Sequence, residues 1–87
     1  PQPAPTKVNV YPNPTQGATM IDLDLSNTQN VLLELYDLSG RQVATLIQNS
    51  LLSAGQYRYE WSCEQLLTGM YLVVLNGKVI DRLVVQQ

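Results

Sequence analysis

The sequence predicts an all-β domain, an immunoglobulin-like antiparallel sandwich of about seven strands. Three observations support this fold class. Several short segments alternate apolar and polar residues with a period of two, which is the pattern of half-buried strands. Turn-forming residues separate these segments at spacings of roughly 8 to 12 residues. Nothing between them has the helical periodicity that a βαβ architecture needs.

The chain of 87 residues is long enough for one domain and too short for a second core. Residues 1–6 hold three of the five prolines, so we expect a proline-rich linker there and the sandwich at 7–87. The chain does not open on a charged segment followed by an apolar one. We therefore expect any secretory signal peptide to belong to a longer parent protein.

The first two strands are separated by a proline-rich bend. Val8–Tyr11 is predicted to end at Pro12 and Pro14, because proline lacks the N–H that a sheet ladder needs and restricts the preceding residue. Ala18–Leu25 then alternates apolar residues with carboxylates, so one face of this strand is predicted to be buried.

A hairpin is predicted next, from Val31–Tyr36 to Gln42–Gln48, with Gly40 free to take positive φ in the turn. The sequence does not decide which side chains of the returning strand face inward. Two pairs of residues compete for the inward face: Val43 with Ile47, and Ala44 with Leu46.

The last three strands follow the same logic. Gln56–Trp61 has aromatic residues at alternate positions, and Glu64–Leu67 is predicted to form a single helical turn. Met70–Leu75 is apolar on both faces, as a central strand covered on both sides would be. Asn76-Gly77 predicts a type I′ hairpin that leads into the last strand, Lys78–Val85.

The alternation predicts a core that contains six large residues: Leu23, Leu33, Leu35, Trp61, Leu72 and Val74. The aromatic row of Tyr57, Tyr59 and Trp61 admits two interpretations. It belongs to the core, which its clean alternation favours, or it forms a flat platform for sugar rings.

No catalytic, cofactor or metal site is predicted, and we expect that the chain is not an enzyme. Histidine is missing, so no Ser-His-Asp or Cys-His constellation is available. Cys63 has no basic neighbour in sequence, which favours a structural role over a reactive one. Asp22 and Asp24 share a strand face, but calcium needs six or more oxygens, so a solvated face is the better interpretation.

Charge and hydropathy exclude two classes of partner. The net charge is −2 and the five basic residues are scattered, which argues against nucleic-acid binding. The longest apolar stretch is far shorter than the roughly 20 residues that a membrane-spanning helix needs.

Four segments carry a resemblance to a known family. They are Val10-Tyr11-Pro12-Asn13-Pro14, Leu35-Tyr36-Asp37-Leu38-Ser39-Gly40-Arg41, Leu67-Thr68-Gly69-Met70-Tyr71, and Lys78 with Arg82-Leu83-Val84-Val85. In this order and spacing they resemble the C-terminal sorting domain of type IX (Por) secretion cargo, type A, found in Bacteroidetes. The resemblance covers residues 8–87.

The resemblance implies a β-sandwich at the end of a secreted protein, attached to an N-terminal cargo domain. It also implies recognition by shuttle and sortase components of the outer-membrane secretion machinery after transit through the periplasm. A sortase then commonly removes the domain and attaches the cargo to a surface lipopolysaccharide. The family motif residues are expected to be structural: Tyr11, Pro12, Asn13, Pro14, Gly40, Gly69 and Tyr71. Gly69 in particular is expected to permit a tight entry of the chain into the central strand.

Recognition is expected in the terminal strand, at Lys78, Arg82, Leu83, Val84 and Val85. A strand near a chain end can be offered to another protein or peeled from its sheet, so homodimers by strand exchange or edge pairing are also expected at high concentration. Cys63 and Glu64 depart from the small or polar turn residues usual in the family. Asp81 beside Arg82 argues against recognition by positive charge alone.

Two alternatives compete with a cleaved sorting signal. One is a permanent immunoglobulin-like spacer or adhesion module, and the other is a carbohydrate-binding module. A sorting signal is absent from the mature protein, whereas a spacer stays and a sugar binder needs exposed aromatic rings.

Overall fold

The computed structural model describes residues 6–87, which form seven strands in two antiparallel sheets. The strands are β1 Lys7–Tyr11, β2 Ala18–Leu25, β3 Gln29–Asp37, β4 Gln42–Leu52, β5 Gly55–Ser62, β6 Gly69–Leu75 and β7 Lys78–Val85. One sheet has the order β1-β2-β5 and the other β4-β3-β6-β7. The predicted sandwich is confirmed. Apart from Thr6, the predicted linker lies outside the described residues.

The inward faces of the two sheets share one core. Its fully buried members come from both sheets and include Ile21, Leu23, Val31, Leu33, Leu35, Val73, Leu83 and Val85. Three predicted core residues, Leu23, Leu33 and Leu35, are confirmed, because the period of two holds along β2 and β3.

The core prediction is wrong for Leu72 and confirmed for Val74 only as to burial, since both lie on the outward face of β6. Tyr71 and Val73 point into the core, so Leu72 and Val74 lie on the opposite face of the sheet. Leu72 is only half-buried, and Val74 is buried without belonging to the core cluster. Trp61 is half-buried on the edge strand β5 and packs against the core.

Strand β4 is irregular, which explains why its inward face could not be chosen from the sequence. Its pairing with β3 shifts register three times, between Val31 and Leu33, between Leu33 and Glu34, and between Leu35 and Tyr36. Each bulge changes which side chains face inward. Both candidate sets therefore contact the core: Val43, Ala44, Leu46 and Ile47.

The predicted helical turn at Glu64–Leu67 is wrong. One hydrogen bond, from the Leu66 N–H to the Cys63 carbonyl at 3.0 Å, closes a β-turn instead. Two carbonyls of this segment accept from side chains outside it: Leu67 from Tyr71 Oη at 2.6 Å and Leu66 from Gln87 Nε2 at 3.1 Å. Bends at Leu66 and Thr68 then lead into β6.

Candidate functional site

The terminal strand β7 is an edge of the four-stranded sheet and pairs with β6 over its whole length. The hairpin between them has Asn76 at φ 48° and Gly77 at φ 84°, which confirms the predicted type I′ turn. The Asn76 side chain also holds this turn against β3. Its Oδ1 accepts from the Leu32 N–H at 2.8 Å, and its Nδ2 donates to the Asn30 carbonyl at 3.0 Å.

The five predicted recognition residues do not share one environment. Leu83 and Val85 are 0 % exposed and belong to the core. Lys78 and Arg82 are exposed, and Val84 is half-buried. A partner that meets the folded domain can therefore contact only Lys78, Arg82 and Val84.

The outer edge of β7 is covered by the bend after β1. Asn13 Nδ2 donates to the Arg82 carbonyl at 2.8 Å, and Asn13 Oδ1 accepts from the Val84 N–H at 2.9 Å. The backbone continues this pairing, because the Thr15 N–H donates to the Val84 carbonyl at 2.8 Å and the Thr15 carbonyl accepts from the Gln86 N–H at 2.9 Å. The edge is thus closed from Arg82 to Gln86.

Gln87 ties the segment after β7 to the loop before β6. Its Nε2 donates to the carbonyls of Cys63 at 2.8 Å and Leu66 at 3.1 Å, and its N–H donates to Thr68 Oγ1 at 3.0 Å. Cys63 is itself buried and free of a disulfide, which fits the structural role expected for it.

The remaining motif residues lie at strand ends and turns. Pro12 and Pro14, both preceded by cis peptide bonds, flank Asn13 in the bend. Gly40 has φ 91° in the β3–β4 turn, as its predicted role requires. The expectation for Gly69 is wrong, because its φ lies outside the left-handed region and nothing lies within 4 Å of an added Cβ.

A polar trio occupies the outer face of the smaller sheet. Arg58 Nε donates to Asp22 Oδ1 at 2.8 Å, and Tyr11 Oη donates to Asp22 Oδ2 at 3.0 Å. The Arg58 hydrogen bond lowers the pKa of Asp22, and desolvation together with the Asp22 bond raises the pKa of Tyr11. Both oxygens of Asp22 are engaged, and residues 6–87 contain no group of three or more acidic, histidine or cysteine side chains suited to a metal.

A shallow apolar depression of about 360 Å³ lies on the outer face of the larger sheet, beside β7. Its side-chain lining comes from Tyr36, Leu72, Val74 and Val79. This depression was not predicted from the sequence, although the apolar residues on the second face of β6 could have indicated it. Leu72 is directly opposite Arg82, so the depression adjoins the exposed part of the terminal strand.

The aromatic row of β5 faces inward. Tyr57, Tyr59 and Trp61 are half-buried and pack against the core, and the rings of Tyr57 and Tyr59 stack with centroids 6.5 Å apart. Tyr57 Oη donates to the Ser53 carbonyl at 2.7 Å. This position fits the core interpretation better than the sugar platform.

Within the described residues no helix is long and apolar enough to cross a membrane.

Comparison with known proteins identifies the family. Neither the curated proteins nor the solved structures yield a significant match. A family model described as the secretion system C-terminal sorting domain matches residues 9–86, almost the whole sandwich. The chain therefore belongs to this family, and it is a C-terminal sorting signal for type IX secretion.

Proposed function

We propose that β7 is the part of this sorting domain that the outer-membrane secretion machinery reads. The observation that supports it is the position of β7 as an edge strand whose exposed residues adjoin an apolar depression. Arg82 and Val84 can be contacted on the outer face, and Lys78 at the hairpin end. Leu83 and Val85 complete the signal, but they become available only when the strand leaves its sheet.

The position of the cargo supports this assignment. A sorting domain carries its cargo on the N-terminal side, and β1 begins at Lys7, which pairs with Asp24 at one pole of the sandwich. Val85 lies at the other pole beside Thr15 and Gly69, and the long axis measures 42 Å. We propose residues 1–6 as a linker and 7–87 as an independent sandwich, so that the cargo leaves the Arg82–Val85 end of β7 uncovered. Lys78 lies nearer the cargo, because the hairpin before it bonds to Asn30 and Leu32 of β3, whose first residue Gln29 bonds to Thr6.

In this proposal the cargo crosses the periplasm, shuttle and sortase components of the machinery bind the domain, and the sortase removes it at the cell surface. In this proposal the domain itself performs no chemistry, and it has no histidine, the commonest general base. The intact mass of the parent protein at the cell surface tests the cleavage step. A mass that still includes residues 7–87 would contradict removal and favour a permanent spacer.

Substitution of exposed residues tests the assignment to β7 better than truncation does. Removing the chain from Arg82 onward would also remove two core side chains. The triple variant Lys78→Ala, Arg82→Ala and Val84→Ser leaves the core intact and is expected to keep the cargo inside the cell. The matched control, Lys7→Ala with Arg41→Ala, changes exposed basic residues elsewhere and should be exported. Normal export of the folded triple variant would contradict the assignment.

Dimers at high concentration remain part of the proposal, by strand exchange or by edge pairing through β7. Edge pairing requires that Asn13 and Thr15 first leave the backbone groups of residues 82–86 to which they are bonded. Light scattering across a wide concentration range tests this, and a strict monomer throughout would contradict it.

A further inference from the structure

We propose that Asn13–Thr15 is a displaceable latch on the edge of β7, which must open before another strand pairs with this edge or withdraws β7. The inference rests on the proposed function for its biological role. Its physical basis is the set of hydrogen bonds that closes the edge of β7, and these bonds do not depend on the proposed function.

The Asn13 side chain imitates one peptide group of a neighbouring strand. Its donor and acceptor atoms meet the Arg82 carbonyl and the Val84 N–H at 2.8 and 2.9 Å, which are ordinary ladder distances. Thr15 then forms a parallel bridge with Val85. A second strand on this edge would need the same groups, so it cannot bind while the latch is closed.

The latch has a weak end and a firm end. Asn13 is exposed between two prolines, and its two bonds to β7 join exposed groups, where water competes for them. Thr15 is 1 % exposed, and its Oγ1 donates to the Ala18 carbonyl at 2.7 Å. Opening therefore begins at Asn13 and leaves the bend anchored at Thr15.

The other sides of the terminal strand limit how a partner can approach. Leu83 and Val85 fill the core on the inner face, and β6 holds the opposite edge. Only the outer face and the latched edge are left for contact. The partner that fits the edge is an extended backbone segment of the machinery that runs parallel to β7, as Thr15 does.

Amide hydrogen exchange of the purified full chain measures the latch directly. Asn13→Ala should accelerate exchange at the Val84 N–H about tenfold, because its acceptor is lost. Exchange at Leu83, whose N–H points to β6 by strand alternation, should not change. Asn9→Ala, an exposed asparagine of β1, is the matched control. Unchanged exchange at Val84 in Asn13→Ala would overturn the latch.

Export separates this inference from the proposed function. A cargo with Asn13→Ala should leave the cell at least as well as the wild type, because the latch opens more easily. Retention of this folded variant would overturn the latch, since it would mean that the machinery needs the Asn13 bend itself. Normal export of the triple variant at Lys78, Arg82 and Val84 would instead refute the proposed reading of β7, and the exchange result would still stand.

Discussion

A single carboxylate oxygen organises the turn between β3 and β4. Asp37 Oδ1 accepts hydrogen bonds from the Ser39 hydroxyl at 2.6 Å, the Ser39 N–H at 3.0 Å and the Arg41 N–H at 2.9 Å. The Ser39 hydroxyl, followed by the Arg41 backbone, lowers the pKa of Asp37 below its ordinary 3.8. The turn is thus built for a charged aspartate.

This pKa shift predicts a pH dependence of stability. A carboxyl with a lowered folded-state pKa stabilises the fold fully above the unfolded value of 3.8 and loses this contribution as pH falls through the folded value. Asp37→Asn should lower the Tm at neutral pH and make its decline in acid shallower. Thermal melts at a series of pH values measure both effects, with the exposed Asp24→Asn as control. An acid decline as steep as in the wild type would contradict this.

Two glycines of the family motifs, Gly40 and Gly69, should respond differently to substitution by alanine. Gly40 has φ 91° with open space around it, so Gly40→Ala should cost about 1–2 kcal/mol from backbone strain alone. Gly69 has neither a positive φ nor a close neighbour, so Gly69→Ala should change the free energy of unfolding by less than about 0.5 kcal/mol. Urea denaturation of both variants tests this, and equal losses would contradict it.

At the scale of the strand, alternation predicts a structure well where pairing is regular. The bounds predicted for Ala18–Leu25 are those of β2, which pairs with both neighbours without a register shift. The predicted end of β4 at Gln48 is four residues short of Leu52, and its faces could not be assigned. The bulges responsible depend on pairing with β3, which a period of two within one strand does not contain.

The two faces of the larger sheet should differ in energy. Leu33 is fully buried in the core, so Leu33→Ala should cost about 2–5 kcal/mol. Leu72 lies half-buried on the outer face, so Leu72→Ala should cost only about 1 kcal/mol, because its side chain already contacts water. The free energies of unfolding in urea measure the difference. A loss of unfolding free energy in Leu72→Ala as large as that in Leu33→Ala would contradict this difference between the two faces.

At the scale of the whole molecule, the site could be predicted only in part. The Asn76-Gly77 signal and the apolar pattern that follows it predicted the bounds of β7 correctly. They did not predict that the edge of β7 is closed, because Asn13 and Arg82 are 69 residues apart and only the fold brings them together. The apolar depression was missed because the apolar pattern of β6 was interpreted as a strand covered on both sides, whereas Leu72 lies half-buried on the outer face of the sheet.

Export of a reporter tests the central claim most directly. A folded reporter with a secretory signal peptide at its N-terminus and residues 1–87 at its C-terminus would be expressed in a bacterium that has a type IX secretion system and in a strain without the outer-membrane translocon. The account predicts reporter outside the first strain and retention inside the second. Retention in both strains, with the domain folded, would contradict the assignment as a sorting signal.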